Sequence, residues 1–348
     1  MAGTTTIVTL LLVPVLVFLL WHMTASSLPP VPSNLRNKRI ILLIAHPDDE
    51  SMFFSPTLQA LTHPALQNHL KILCMSTGDS DGLGETRRKE IEAAAVTLGV
   101  RRKEDVFVLN DARFKDGMNQ TWRPEEIVRV LASAFAPHLN STLPTRASSP
   151  EITLSTEKEK EKEKEKDRRK SKGPKHIKSP SSSASAPPPP PQTAAGPRAT
   201  IDVLITFDAQ GISSHPNHIA LYHGAKQFIQ LIMKGHPGYA CPVALYTLPT
   251  VNLARKYSFI LDAIPTLLSG IYRSIFGSSK SAIASTESKQ ATVADRTVFV
   301  NDIPRYWKAR EAMVSGHKSQ MVWFRWGWIS LGRYMVVNDL RSERVLAT

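Results

Sequence analysis

The run Ile40-Ile41-Leu42-Leu43-Ile44-Ala45, ended by His46-Pro47-Asp48-Asp49-Glu50, decides how this chain folds. Six apolar residues without a polar break describe a buried strand. The turn after it should stand at the strand's carboxyl end, the edge of an open α/β sheet where ligands bind. A second stretch, Ser214-His215-Pro216-Asn217-His218, has matching chemistry. Together they offer two imidazoles and a carboxylate, a set that can hold a divalent metal with coordination positions left open. The adjacent second aspartate, not needed as a ligand, is then free to act as a base.

Further apolar runs lie at Ile72 to Met75, Val106 to Leu109, Ile201 to Thr206 and Val243 to Leu248. Helical patterns separate them. Ile91, Ala94, Ala95 and Leu98 share one face before a stop at Gly99; Pro124 opens a segment with Ile127, Leu131, Ala134 and Phe135; Leu221, Ala225, Phe228, Ile229 and Ile232 form a third stripe. Strands alternating with helices predict an α/β fold, Rossmann-like, with a mostly parallel sheet and helices on both faces.

Residues 145 to 199 cannot belong to that core. They carry Glu-Lys repeats from Glu157 to Lys166, a basic run from Arg168 to Lys178 and five prolines, Pro187 to Pro191. Such a composition buries too little apolar surface to offset ordering entropy. The segment holds 13 Lys and Arg against 7 Asp and Glu, so +6 of the chain's +13 sits there and the charge is no signature of a nucleic-acid surface. As an insert after the Pro124 helix it should leave the sheet opposite the strand carboxyl ends and be dispensable for catalysis. The two cysteines, Cys74 and Cys241, suit a reducing compartment and read as inert core thiols.

Ile7 to Trp21 is almost wholly apolar and approaches the roughly 20 residues of a bilayer span. No Lys or Arg precedes it, whereas Arg36, Lys38 and Arg39 follow, which favours an uncleaved transmembrane helix with the body in the cytosol. One anchor and a linker tether the body without orienting it. The expected domains are 1–38, anchor and linker; 39–138, first part of the catalytic domain; 139–200, low-complexity insert; and 201–348, second part with a membrane-proximal end. Beyond Leu248 the pattern blurs. The stripe Ile260, Ile264, Leu267, Leu268, Ile271 and Ile275 fits core packing or an interfacial helix, and Trp323, Phe324, Trp326 and Trp328 around Arg325 suit the headgroup layer as well as a core.

The order of the motifs resembles the PIG-L/LmbE-like de-N-acetylases: His-Pro-Asp-Asp-Glu after the first strand, Thr77-Gly78-Asp79 after the second, Gly84 to Glu90, and Thr206-Phe207-Asp208 leading into Gly211 to His218. Within that group the N-terminal segment and Gln320 to Trp326 are similar to the eukaryotic branch that serves glycosylphosphatidylinositol (GPI) anchors. The resemblance implies hydrolysis of the N-acetyl group of N-acetylglucosaminyl-phosphatidylinositol to glucosaminyl-phosphatidylinositol and acetate, early in anchor synthesis, at the endoplasmic reticulum membrane with the catalytic domain facing the cytosol.

For that chemistry His46, Asp49 and His218 are the expected ligands of a divalent metal, with zinc the expected ion. Asp48 is the expected base, and His215 stabilises the oxyanion or shares the acid role. Arg87 is a candidate ligand of the substrate's phosphodiester, or else a surface partner of Glu90 or Glu92. Glu50 is expected to orient a metal ligand, and Asp208 to do the same or to cap the loop before His215. Two histidines and a carboxylate also serve non-haem iron oxygenases, but Asp48 fits hydrolysis better. Partners are the glycolipid and the membrane, with no nucleic acid. The alternatives are a deacetylase of a soluble N-acetyl sugar conjugate and a non-catalytic membrane-tethered scaffold.

Overall fold

The computed structural model describes residues 2–142, 196–266, 268 and 296–345, with side chains from Leu12 onward and none for 141–142. The expected insert, 139–200, lies largely outside them, as do Leu267, Ile271 and Ile275 of the expected stripe.

The five apolar runs become five parallel strands: β1 (Arg39–Ile44), β2 (His69–Cys74), β3 (Val106–Val108), β4 (Val203–Phe207) and β5 (Ala244–Leu248). Ile40 to Ile44 of β1 are all buried, as are all five residues of β4. A strand covered on both faces cannot alternate, which is why these segments read as unbroken runs. Full burial of each aliphatic side chain stabilises by about 1.5–3 kcal/mol, so β1 anchors the core.

With β6 (Arg296–Val300) and β7 (Val337–Glu343) added, the strand order is β3-β2-β1-β4-β5-β7-β6. From β1 the chain builds outward through β2 and β3, then returns to the other side with β4 and β5. The order therefore reverses between β1 and β4, and in open α/β sheets the crevice at such a reversal is the ligand site. His46 follows β1 and the loop to His218 follows β4, so the topology alone delivers both motifs to this crevice.

The sheet is mixed rather than wholly parallel. β7 (Val337–Glu343) runs antiparallel to β5, and β6 (Arg296–Val300) pairs antiparallel on its outer side. Neither strand is an apolar run. β7 places Asn338 and Asp339 in the core, where Asn338 Nδ2 donates to the Phe53 carbonyl at 2.8 Å and Asp339 pairs with Arg296 and Arg333.

The three expected helices are present as Gly84–Thr97, Pro124–Phe135 and Pro216–Met233. Leu221, Ala225, Phe228, Ile229 and Ile232 are all buried as expected, whereas of the Pro124 stripe Ile127 and Leu131 are buried and Ala134 and Phe135 are not. The last two helices pack closely at Gly224, where a Cβ would stand 2.5 Å from Ile127 Cγ2. At the end of the Pro124 helix the Thr200 amide donates to the Phe135 carbonyl at 2.8 Å, so the two sides of the insert meet at its base.

Backbone from Ala2 to Ser26 is helical. Among the described residues no helix is long and apolar enough to cross a membrane, so the expected transmembrane helix is not found there. Nor is the end of the Ala2–Ser26 helix a loose tether. Trp21 is buried edge-on against Phe259 and Tyr306 at 5.2 and 5.3 Å, and its indole N–H donates to the Asn301 carbonyl at 2.6 Å. Of the two cysteines, Cys74 is buried as expected but Cys241 is exposed, because it lies before β5 rather than in it.

Candidate metal centre

Asp49 is aimed by its own turn. Its Oδ2 accepts the backbone N–H groups of Ala45 at 3.0 Å and His46 at 2.9 Å, which fixes the carboxylate and points Oδ1 at His218 Nε2, 3.3 Å away. His218 stands in the first turn of the Pro216–Met233 helix, started by Pro216 and capped by His215, whose Nδ1 accepts the Asn217 N–H at 3.3 Å. Its ring lies flat on Phe207 at 3.8 Å. The other nitrogen, Nδ1, donates to the Gly211 carbonyl at 3.1 Å, a tautomer assigned from its partner.

That tautomer leaves the Nε2 lone pair facing a carboxylate oxygen, both groups buried and Nε2 without hydrogen-bond geometry. Two lone pairs at that separation repel, so the contact is held by positive charge, a proton on the imidazole or a metal ion between the two groups. The donor atoms of His46, Asp49 and His218 are all within 4.8 Å of one another, and all three residues are buried. The set expected from sequence is therefore assembled in space and fits a divalent ion of the imidazole and carboxylate preference, zinc among them.

The electrostatics agree. Burial opposes charge on Asp49, but His218 and His46 beside it hold its carboxyl well below the usual range. Burial also opposes a charged His46, yet its hydrogen bond to Asp116 and the field of Asp49, Asp116 and Asp48 outweigh that and raise its pKa. A metal ion would displace that proton. His215 is pushed down to about 4, first by burial and then by His218 and His46, so it is a neutral imidazole at pH 7. With Nδ1 accepting from Asn217, its Nε2 carries the hydrogen and is a donor.

Asp48 sits at φ +115°, a left-handed backbone that an aspartate adopts only under constraint. The constraint is Glu50, whose Oε2 accepts the Asp48 N–H at 3.1 Å while Oε1 meets Ser51 Oγ at 2.6 Å and His317 Nε2 at 2.5 Å. The hydrogen bonds of Glu50 thus fix the turn at Asp48 rather than a side chain of the donor set. Asp208 lies outside the donor set and caps the loop before His215. It accepts from Gln210 and Gly211 N–H at 3.2 and 3.0 Å and from the Thr250 N–H and hydroxyl, both at 2.6 Å. This cap holds the loop at positive φ for Ile212 and Ser214 and so places the Gly211 carbonyl that orients His218.

Arg87 lines the cleft and is no surface partner of Glu90 or Glu92. It is buried, and its terminal nitrogens donate to the Gly78 and Pro47 carbonyls, each at 2.7 Å, with Asp116 Oδ2 at 3.3 Å and Asp48 Oδ2 at 3.7 Å. It clamps the turn between β1 and the loop after β2. Four residues with no role in the sequence reading join the site. Asp116 receives His46 Nε2 at 3.0 Å and shares a second possible ligand set with His46 and His215. Asn217 Nδ2 lies 2.9 Å from His46 Nε2. His317 buries itself against Glu50, and Lys256 lines the cleft. Asp116 had no visible signal beyond being an acid in the loop after β3, whereas Asn217 was in plain view between two histidines.

The C-terminal aromatic cluster divides. In the helix Trp323–Leu331, Trp323 is 85% exposed and Phe324 and Trp326 are also exposed, but Trp328 is 6% exposed, packed on Phe53 and Tyr334 with its indole N–H donating to the Met52 carbonyl. Arg325 turns inward, its Nη2 2.8 Å from Asp48 Oδ2. Ile260 of the weaker stripe is buried, and Ile264 and Leu268 are exposed.

Over 98% of its length the chain is 40% identical to the N-acetylglucosaminyl-phosphatidylinositol de-N-acetylase of Arthroderma benhamiae, covering 98% of that protein. The chain belongs to the N-acetylglucosaminyl-phosphatidylinositol de-N-acetylase family. A probable member from Schizosaccharomyces pombe is 32% identical over 91% of this chain and 92% of its own. Residues 41–167 match the PIG-L family, described as GlcNAc-PI de-N-acetylase. Among solved structures, a deacetylase complex from teicoplanin biosynthesis superposes at a TM-score of 0.41 and 12% identity, over 88% of this chain and 98% of that one, a likeness too weak to carry an argument. Among the described residues, the cleft holds the buried donor set His46, Asp49 and His218 with Asp48 beside it.

Proposed function

We propose that this chain hydrolyses the N-acetyl group of N-acetylglucosaminyl-phosphatidylinositol, giving glucosaminyl-phosphatidylinositol and acetate, an early step of GPI-anchor biosynthesis. The observation that carries the reading is the convergence of His46, Asp49 and His218 within 4.8 Å at the sheet's reversal point, with Asp48 adjacent and unused as a ligand. Membership of the family supplies the substrate, through the name its relatives bear.

His46, Asp49 and His218 would hold the divalent ion. When bound, such an ion lowers the pKa of water from about 15.7 to about 7 and polarises the acetyl carbonyl. Asp48 then takes the proton of the attacking water and returns it to the nitrogen as the C–N bond breaks, so that acetate and a free amine leave. His215, neutral and donating through Nε2, hydrogen-bonds the oxygen on which negative charge develops. Zinc is the ion that this ligand set suits best.

The body is held at the endoplasmic reticulum membrane by its N-terminal helix, facing the cytosol. Supporting this, the helix backbone is continuous through the apolar Ile7 to Trp21 stretch, and Leu12, Val13, Val15, Leu16, Phe18 and Leu19 are all exposed, a surface that water disfavours. Exposed Trp323 and Trp326 beside the cleft suit the headgroup layer. Acetate release from the glycolipid by purified full-length chain tests the reading. Release from soluble N-acetylglucosamine conjugates alone would move the activity to a soluble substrate, and no release from either would remove the catalytic reading.

A further inference from the structure

The cleft of about 410 Å³ around the donor set is lined by three cations, Arg87, Lys256 and Arg325. Arg87 is buried with both terminal nitrogens committed to carbonyls and Asp116, whereas Lys256 and Arg325 are partly exposed. Lys256 closes the short helix Leu253–Lys256. Its Nζ donates to Ser213 Oγ at 2.9 Å and lies 5.2 Å above the Trp328 ring, and among the described residues no carboxylate stands within ion-pair distance. Half burial lowers its pKa, the mark of a cation without a compensating anion. Arg325 offers its Nη2 to Asp48, but its Nε is buried and has no acceptor among the described residues. Arg325 and Trp328 are three residues apart on one helix and so share a face, which sets the ammonium over Trp328 and the guanidinium on the same wall of the cleft.

A lysine without a counter-ion and an arginine on the wall of one cleft are matched by an anion with several acceptor oxygens. We infer that Lys256 and Arg325 form a phosphodiester subsite beside the metal centre, which grips the phosphate joining inositol to lipid while the N-acetyl group lies over His46, Asp49 and His218. The inference rests on the proposed substrate, the only anionic group of whose head is that phosphate. Arg325 then touches both the phosphate and Asp48, so a substrate in register also fixes the base, and Lys256 contributes to recognition alone.

The test separates recognition from chemistry. Turnover is measured with a short-chain N-acetylglucosaminyl-phosphatidylinositol and with N-acetylglucosaminyl-inositol, which lacks the phosphate, for wild type, Lys256→Ala and Lys256→Arg. Lys256→Ala should raise KM for the phosphodiester about ten-fold with kcat little changed, leave the phosphate-free substrate within about two-fold, and be rescued by Lys256→Arg. An equal loss on both substrates overturns the subsite. Calorimetric binding of glycerophosphoinositol reads the same site without catalysis. It should weaken about ten-fold in Lys256→Ala, and unchanged binding overturns the inference even if turnover is never detected. Should wild type turn over neither substrate while binding remains Lys256-dependent, the proposed activity falls and the subsite stands. Inorganic phosphate binding as tightly as glycerophosphoinositol would make this a free-phosphate site and remove the lipid assignment.

Discussion

The chain up to Leu248 and the chain after it build the same cleft by different means. In the parallel half, His46, Asp49, His215 and His218 are placed by backbone: strand ends, a proline-started helix and amides that hold a carboxylate in one orientation. The later part adds β6 and β7 at the sheet edge and sends long side chains back, His317 to Glu50, Arg325 to Asp48 and Lys256 to Ser213. The first region fixes the donor set through backbone contacts, and the second lines the cleft around it. Chemistry at the sheet edge and fit from appended elements is how one fold comes to serve different substrates.

The largest expected effect separates the two aspartates of the first region. Asp49→Asn and His218→Ala should lose both metal and turnover, whereas Asp48→Asn should keep the metal and lose about 10²–10⁴ in kcat. Elemental analysis beside the assay decides the matter, and equal metal loss in Asp48→Asn and Asp49→Asn would contradict the division of roles.

His317→Ala tests whether the later region supports the earlier one. Removing one partner of a buried pair costs about 3–5 kcal/mol, read as a fall in the denaturation midpoint. The sign with pH is fixed. Burial opposes charge on His317, but Glu50 outweighs it and raises the pKa above 6.5. Its stabilisation is therefore complete below about pH 6.5 and lost as pH rises through the raised value. His317→Gln should flatten that decline; an unaltered pH profile would show that the pair is not ionised in the folded protein.

A smaller effect is expected at the exposed aromatics. Trp323→Ser with Trp326→Ser should reduce turnover of membrane-embedded substrate about three- to ten-fold, about the worth of two interfacial anchors, and leave a short-chain analogue unchanged. Trp328 is left out because it is core. Equal loss on both substrates would make the exposed pair part of the cleft. Smallest of all, replacing residues 145–195 by a short Gly/Ser linker should leave turnover within about three-fold, since Thr200 and Phe135 already join the two sides at its base, away from the strand carboxyl ends. A collapse of activity in folded protein would show that the segment reaches the site.

Sequence exposed the first region because both of its signals are local. A strand buried on two faces is an unbroken apolar run, and His46, Asp49 and His218 stand in short motifs at the ends of such runs. The second region hid for the converse reason. β7 carries Asn338 and Asp339 in the core and has no apolar pattern to follow, and Arg325 beside four aromatics suggests a lipid surface until the fold turns it toward Asp48. Asp116, Arg87 and His317 act through contacts 70, 40 and 267 positions away in the chain, with His46, Pro47 and Glu50, and no spacing rule reaches that far.

The most direct test of the account is acetate release from N-acetylglucosaminyl-phosphatidylinositol by purified full-length protein, followed through removal and return of metal with bound ion counted at each stage. The account predicts that activity and one bound divalent ion per chain fall together on chelation, return together on adding zinc, and are both absent in His218→Ala. Full activity in protein shown to be free of metal would contradict it.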